Sequence, residues 1–349
     1  MRILHVNYLH RMRFTERMSP KMKTIIHHDD SIMQVKVPLP FPLRWINSYV
    51  IKGNHGYTVI DPGIHTAEAE QVWDEVMQEI GAGYTDIEQI VLTHHHPDHY
   101  GMSGWIRERS GAAIYMSKSA WKQAKLLWGN GQPLSSAILA LFRHHGMDEH
   151  TLSGMLIHLQ SFVAQVSPQP VREDIRFLQS GEVHPLGNRK YELLDTPGHA
   201  HGHLSFFDRG SGVIFCGDQV LPQITPNVSL IPGIDPDPLK SYLESLDMLR
   251  TLPAEQAYPG HRNPFQAFNP RVEEIMAHHQ ERLQAMVSMI ESEASMHAFR
   301  LCRKLFGERL SLHQLRFALS ETIAHLIYLE NQEKLVGTLA EGVVYYSVK

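Results

Sequence analysis

Thiols are nearly absent from this sequence. Cys216 and Cys302 are the only cysteines in 349 residues, and neither stands in a CxxC spacing or a Cys/His cluster. That excludes a disulfide framework and a thiolate zinc site, and a reducing cytoplasm is the expected location. Excess charge of either sign is also lacking: 32 Lys and Arg face 37 Asp and Glu, a formal net charge of −5. Bulk electrostatics therefore offers little to recruit nucleic acid or a membrane surface, although a local basic patch would be compatible with it. No run of about 18 apolar residues occurs, so no transmembrane helix is expected. Residues 1–25, MRILHVNYLHRMRFTERMSPKMKTI, are basic and lack the apolar stretch of roughly 7–15 residues that a secretory signal needs. They read as a loosely ordered leader, with Met18 and Met22 as candidate starts.

The remaining composition is that of a soluble globular protein, 43% hydrophobic and 20% charged. The length exceeds the usual single core, which predicts one large domain with a smaller appendage. From Ile32 to Ile60, extended apolar runs alternate with turns, and Gly53-Asn54-His55-Gly56 reads as a hairpin turn. Val72, Val76, Met77 and Ile80 then recur at helical spacing before a glycine stop, and the strand QIVLTH follows. GMSGWIRERSG reads as a helix and AAIYMS as another strand, an alternation that predicts an α/β layer architecture. Residues 118–175 break the pattern with Trp121, Leu126, Leu127, Trp128, Leu139, Leu141 and Phe142 in polar helical text, and are expected to form a helical insertion. It could line a substrate pocket as a lid or simply pack on the main domain. Strand text returns in KYELLDTPG, HLSFFD and GVIFCGD, and from about residue 270 the character is helical until a closing strand pair. The expected domains are thus 26–270 and a C-terminal winged-helix-like unit at 271–349.

Histidine is what the chain has in quantity, 24 residues, several packed into short Gly- and Asp-containing runs. The densest is Thr93-His94-His95-His96-Pro97-Asp98-His99, at the C-terminal end of an apolar strand, where functional loops concentrate. Imidazole and carboxylate donors suit zinc, manganese or iron(II). Side chains alternate with period two in an extended strand, so His94 and His96 face the same way and can chelate one ion. Asp98 and His99, on the following turn, can reach a second ion, and a two-metal site needs ions about 3.5–4 Å apart. Three later strand ends complete the set: Thr196-Pro197-Gly198-His199, Cys216-Gly217-Asp218, whose carboxylate could bridge two cations, and Pro259-Gly260-His261.

HHHPDH, TPGH, CGD and PGH, in that order, together with Ile60-Asp61-Pro62-Gly63, resemble the metallo-β-lactamase superfamily over roughly residues 32–265. The resemblance implies a four-layer αββα sandwich with the metals at one edge. It implies that His94, His96 and His199 hold one ion, that Asp98, His99 and His261 hold the other, that Asp218 bridges them, and that Asp61 supports the ligand loops. A bridging water with its pKa lowered from about 15.7 toward roughly 7 would supply hydroxide, with Asp98 placed to orient it or take its proton. Two divalent ions are expected, zinc first, with manganese or iron as alternatives. His203 reads as a turn residue or a support for the ligands, His201 as an exposed loop residue or a substrate contact, and Arg262 as a candidate for an anionic substrate group. His144, His145, His158, His278 and His279 read as ordinary surface or helix-face residues.

The expected activity is hydrolysis of an ester, thioester or lactone bond in a small molecule. β-Lactam hydrolysis is disfavoured because neither a cysteine ligand nor a secretory signal is present. The alternative is a phosphodiesterase or endoribonuclease, since relatives with a small C-terminal winged-helix domain resemble endoribonucleases. Residues 271–349 carry nine Lys or Arg against ten Asp or Glu, little footprint for RNA. Flavodiiron-type relatives normally exchange one imidazole for a carboxylate, whereas His99 is kept here. A homodimer is the default for assembly.

Overall fold

The computed structural model describes residues 24–129 and 133–349, so the expected leader up to residue 23 lies outside the described residues. Its last two positions do not behave as a leader. Thr24 accepts a backbone hydrogen bond from Lys36 at 2.9 Å, and Ile25, buried against the core, opens the first strand.

Seven strands lie side by side in chain order: β1 (Ile25–His27), β2 (Ile32–Pro38), β3 (Trp45–Lys52), β4 (Tyr57–Ile60), β5 (Ile87–Val91), β6 (Ala113–Ser117) and β7 (Ile175–Leu178). Pairing is antiparallel up to β4 and parallel from β4 to β7. The expected turn between β3 and β4 is closed by Gly53 N–H donating to Gly56 O at 2.8 Å. A second sheet holds β8 (Val183–Leu186), β9 (Arg189–Asp195), β10 (Leu204–Asp208), β11 (Val213–Gly217) and β12 (Gln256–Pro259), with only the β11–β12 pair parallel.

The helices are α1 (Ala67–Glu79), α2 (Pro97–Tyr100), α3 (Ser103–Ser110), α4 (Lys118–Trp128), α5 (Pro133–His144), α6 (Glu149–Gln160), α7 (Pro238–Leu249), α8 (Phe268–Glu291), α9 (Ala298–Phe306) and α10 (Leu312–Asn331). Several begin at a side-chain cap that satisfies an otherwise orphan N–H: Thr66 for α1, Ser117 for α4, Asp148 for α6, Asp237 for α7 and Ser311 for α10.

Period-two alternation assembles the layers. Tyr49, Ile51, Ile60 and Val91 from the first sheet meet Leu193, Phe206, Val213 and Phe215 from the second in one dry cluster. Their chain neighbours Val50, Val59, Ile90, Phe207, Ile214 and Cys216 face outward into a second cluster shared with Trp73 and Val76 of α1 and Tyr242 and Leu246 of α7. Both faces of both sheets are therefore covered, which is the αββα sandwich.

Helices α4 to α6 occupy the expected insertion, and α4 contributes Ala120, Trp121, Ala124 and Leu127 to the main core. The closing strands β14 (Leu335–Ala340) and β15 (Val343–Val348) pair as expected, but a third strand, β13 (Met296–His297), joins β15. At two residues it is too short to show alternation in sequence. Helix α8 begins before residue 271, and Phe268, Val272 and Ile275 sit in the main core. His145 and His279, read as surface or helix-face residues, are buried. No described helix is long and apolar enough to cross a membrane.

Candidate metal centre

Four strand ends converge on one edge of the sandwich. Beyond β5 the chain stays extended through His96 and then turns into α2, which brings His94, His96, Asp98 and His99 to that edge. β9 leads to His199, β11 to Asp218 and β12 to His261. These side chains form two triads of donor atoms, His94/His96/His199 and Asp98/His99/His261, each within 4.8 Å.

The spacings are those of atoms gathered around ions. Donors held tetrahedrally at roughly 2.0–2.2 Å from a metal lie about 3.4 Å from one another. Here His94 Nε2 is 3.0 Å from His96 Nδ1, and His261 Nε2 is 3.1 Å from Asp98 Oδ2. Asp218 Oδ2 lies 3.3 Å from His261 Nε2, 3.4 Å from His99 Nε2 and 3.7 Å from His199 Nε2, so one oxygen adjoins both triads. Asp218 Oδ1 and the Nε2 atoms of His99 and His199 are buried without a hydrogen bond. Buried polar atoms without partners are rare, and this group of them is what a cation-binding site leaves for its ions.

The rings are aimed from behind. Each of four imidazoles can present Nε2 inward because Nδ1 has an acceptor on the outer side: Thr93 Oγ1 for His94 (2.9 Å), Asp61 Oδ2 for His99 (2.8 Å), Asn227 O for His199 (2.8 Å) and Trp45 O for His261 (3.2 Å). Asp61 also accepts from Thr93 N (2.8 Å) and Thr93 Oγ1 (2.6 Å). Asp61, His94 and His99 are close enough to hold an ion themselves, but these bonds occupy the Asp61 oxygens and fix it as a support.

Electrostatics divides the triads. Burial holds His94 and His96 far below the usual imidazole pKa, so both keep a lone pair for a metal at neutral pH. Burial acts the same way on His99 and His261, but the carboxylates around them more than reverse it: His99 is raised well above its usual value, and His261, beside Asp218 and Asp98, to about 10. Burial would push the Asp218 carboxyl up, yet His261 and His99 hold it well below the usual range. The negative charge that draws protons to these rings is the charge that would stabilise divalent cations.

Close packing fixes the loops. Asn47 of β3, fully buried, donates to Pro259 O (3.0 Å) and Arg262 O (2.5 Å), and Tyr49 donates to Pro259 O at 2.7 Å. A Cβ on Gly260 would stand 2.3 Å from Asp218 Oδ1 and 2.6 Å from His99 Cε1. Neither Asn47 nor Tyr49 was singled out in the sequence, because the loop they hold lies more than 200 positions away.

The remaining candidates separate by position. His203 is buried, with Nδ1 2.8 Å from Thr196 Oγ1 and its ring 5.1 Å from that of His94. His201 is exposed and lines a cleft that opens beside His96 and His199. Arg262 does not line that cleft; its carbonyl is held by Asn47, and Nε is buried without a partner. The cleft wall includes Gln123 and Leu127 of α4 and Ile138 of α5, so the insertion both packs on the sandwich and borders the site. His95, between two candidate ligands, and Arg316, Phe317 and Ser320 of α10 also line it. His95 stands inside the His94–His96 run and its ring lies 4.9 Å from that of His96, so the motif itself could have flagged it, whereas nothing local marks Arg316.

The chain is 26% identical over 324 residues to a probable metallo-hydrolase of Bacillus subtilis, spanning 91% of this chain and 98% of that protein. The crystal structure of a metallo-beta-lactamase family protein from Thermus thermophilus matches with a TM-score of 0.81 at 31% identity, covering 91% of this chain and 99% of that one. A shorter stretch of 102 residues, 28% of this chain and 35% of the other, is 33% identical to an acyl-coenzyme A thioesterase of Gallus gallus. The metallo-beta-lactamase-like C-terminal domain family matches residues 283–349. With the metallo-beta-lactamase superfamily itself matching residues 44–261, around every residue of the two triads and Asp218, the chain belongs to that superfamily and is a metal-dependent hydrolase.

Proposed function

We propose that this hydrolase is dinuclear and cleaves an ester, thioester or lactone bond of a small molecule. His94, His96 and His199 would hold one divalent ion and Asp98, His99 and His261 the other, with Asp218 shared and zinc the first choice of metal. Bound there, such ions would lower the pKa of a water from about 15.7 toward roughly 7 and polarise the substrate carbonyl.

The chain's own residues supply the rest. Thr93, Asp61, Asn227 and Trp45 hold the rings in the tautomer that presents Nε2, with no reorganisation during reaction. Asp98, partly open to solvent with Oδ2 at His261, is placed to accept a proton from attacking water and return it to the leaving group. His95 and the apolar side chains of α4 and α5 bound the space in which an acyl group can lie. The thioesterase named among the relatives supports a thioester within the proposed range.

The observation that carries this reading is the position of Asp218, one oxygen between both triads and the other buried without a partner. The test is elemental analysis of the purified protein with a screen of lactone, thioester, phosphodiester and RNA substrates. About two equivalents of zinc or manganese with carbonyl-substrate turnover are expected. Asp218→Asn and His199→Ala should lose metal and turnover together, and retention of both would sink the site assignment. RNA cleavage alone would replace the ester reading by the phosphodiesterase one.

A further inference from the structure

Arg316 projects from α10 into the cleft that His96 and His199 border. Among the described residues its guanidinium is offered no hydrogen bond and no ion pair; its contacts are the ring faces of Phe162 and Phe317, 5.4 and 5.1 Å away. Three other part-buried arginines have acids, Arg282 with Glu321, Arg107 with Asp174 and Arg271 with Glu274, whereas Arg262 has none among the described residues. Around Arg316 the titratable neighbours are imidazoles. His158 and His313 are each held down partly by its charge, behind the larger effect of burial. The acid that shares the cleft, Asp235, is turned to its own loop, accepting from Asp237 N (2.9 Å) and Ser241 Oγ (2.7 Å).

Burial lowers Arg316 only to about 10, so it remains a cation at neutral pH. Part-buried in the wall of the cleft, that cation has no anion from the described residues, an arrangement that an anion arriving with a ligand would complete. A second donor stands close by. His95 is buried, lines the same cleft, and its Nδ1 has no partner.

We propose that Arg316 and His95 form an oxyanion-binding subsite in the cleft, so that the substrate carries a carboxylate or phosphate beside the bond that is hydrolysed. This rests on the carbonyl-hydrolase reading above. The planar guanidinium fork grips either group through two parallel N–H donors while the rings of Phe162 and Phe317 keep it extended. The anion selects and orients the substrate; the bond broken lies at the metals, and Arg316 takes no part in proton transfer.

The test uses the metal-loaded enzyme and three thioesters: butyryl-N-acetylcysteamine, which is neutral, succinyl-N-acetylcysteamine, with a carboxylate on the acyl side, and butyryl-phosphopantetheine, with a phosphate on the leaving side. Wild type should prefer at least one charged probe over the neutral one by about 10- to 100-fold in kcat/KM, and which one tells whether the anion sits on the acyl or the leaving group. Arg316→Gln should bring that ratio close to one, with the change in KM rather than kcat, because the contact is equal in ground and transition states. Arg316→Lys keeps the charge but not the fork and should fall between; it also decides the matter if the glutamine variant does not fold. An unchanged ratio in a folded variant, or a wild type indifferent to charge, overturns the subsite and leaves the hydrolase standing. If none of the three is turned over by protein that retains its metals, and oxygen esters and lactones are inert as well, the ester reading fails instead. Inhibition of whatever activity remains by succinate or inorganic phosphate, expected to weaken about tenfold in Arg316→Gln, then tests the subsite alone, and equal inhibition overturns it.

Discussion

Asp61 accepts three hydrogen bonds with two oxygens and so couples the backbone at Thr93, the Thr93 hydroxyl and the His99 ring. An asparagine in its place would keep the size but replace one acceptor by a donor facing donors. Asp61→Asn should therefore weaken metal binding about 10- to 100-fold while leaving the fold intact, readable by competition with a chelator. Gly260→Ala makes a sharper claim, because the added methyl meets the shared carboxylate and the His99 ring. The variant should retain clearly less than two equivalents of metal, and normal metal content would show that the loop can yield. The residues of the two triads and Asp218 were legible in the sequence because each stands in a short motif at a strand end, where two or three neighbours tell the story. Asn47, Tyr49 and Arg316 were not, since what makes them matter is a loop or cleft assembled from distant parts of the chain.

Legibility was similar among the elements. Strands β2 to β6 and helices α1 and α3 announce themselves by alternation and helical spacing, whereas β1 and β13 are too short to carry a period. His279 was misread for a related reason: α8 buries an apolar stripe, and His279 lies within it. Its Nδ1 is 3.0 Å from His325 Nε2 on α10, and His325 Nδ1 is 2.8 Å from Glu321 O. That geometry has His325 donating to the carbonyl and accepting from His279, both rings neutral. Burial pushes His325 down to about 3 and holds His279 well below the usual value, so below the free imidazole pKa of roughly 6.5 the unfolded chain takes up protons that the folded pair refuses. The pair's contribution is fully present above that pH and is lost as pH falls, at about 1.4 kcal/mol per pH unit for each ring. Chemical denaturation between pH 7 and 5 should show this slope, and His325→Gln should flatten it by about one proton. An unaltered slope would mean that the pair does not govern the acid response.

At the scale of the whole molecule, the C-terminal helices reach the metal centre through a chain of bonds. Arg282 of α8 pairs with Glu321 of α10, Glu321 accepts from Asn227 Nδ2 at 2.7 Å, and the Asn227 carbonyl holds the His199 ring. Glu321→Ala leaves a part-buried arginine unpaired, which costs about 3–5 kcal/mol in such settings, and releases the segment that orients one ligand. It should lower the melting temperature and let metal escape on dialysis more readily than from wild type; loss of stability with full metal retention would show that the two are separate. The same chain of bonds bears on how such a protein can diversify. A graft that exchanged the chain from about residue 270 onward for that of a relative would carry Arg316, Arg282 and Glu321 but leave Asn227 behind, so such recombinants should keep a working site only when the loop at Asn227 is exchanged together with the helices that grip it.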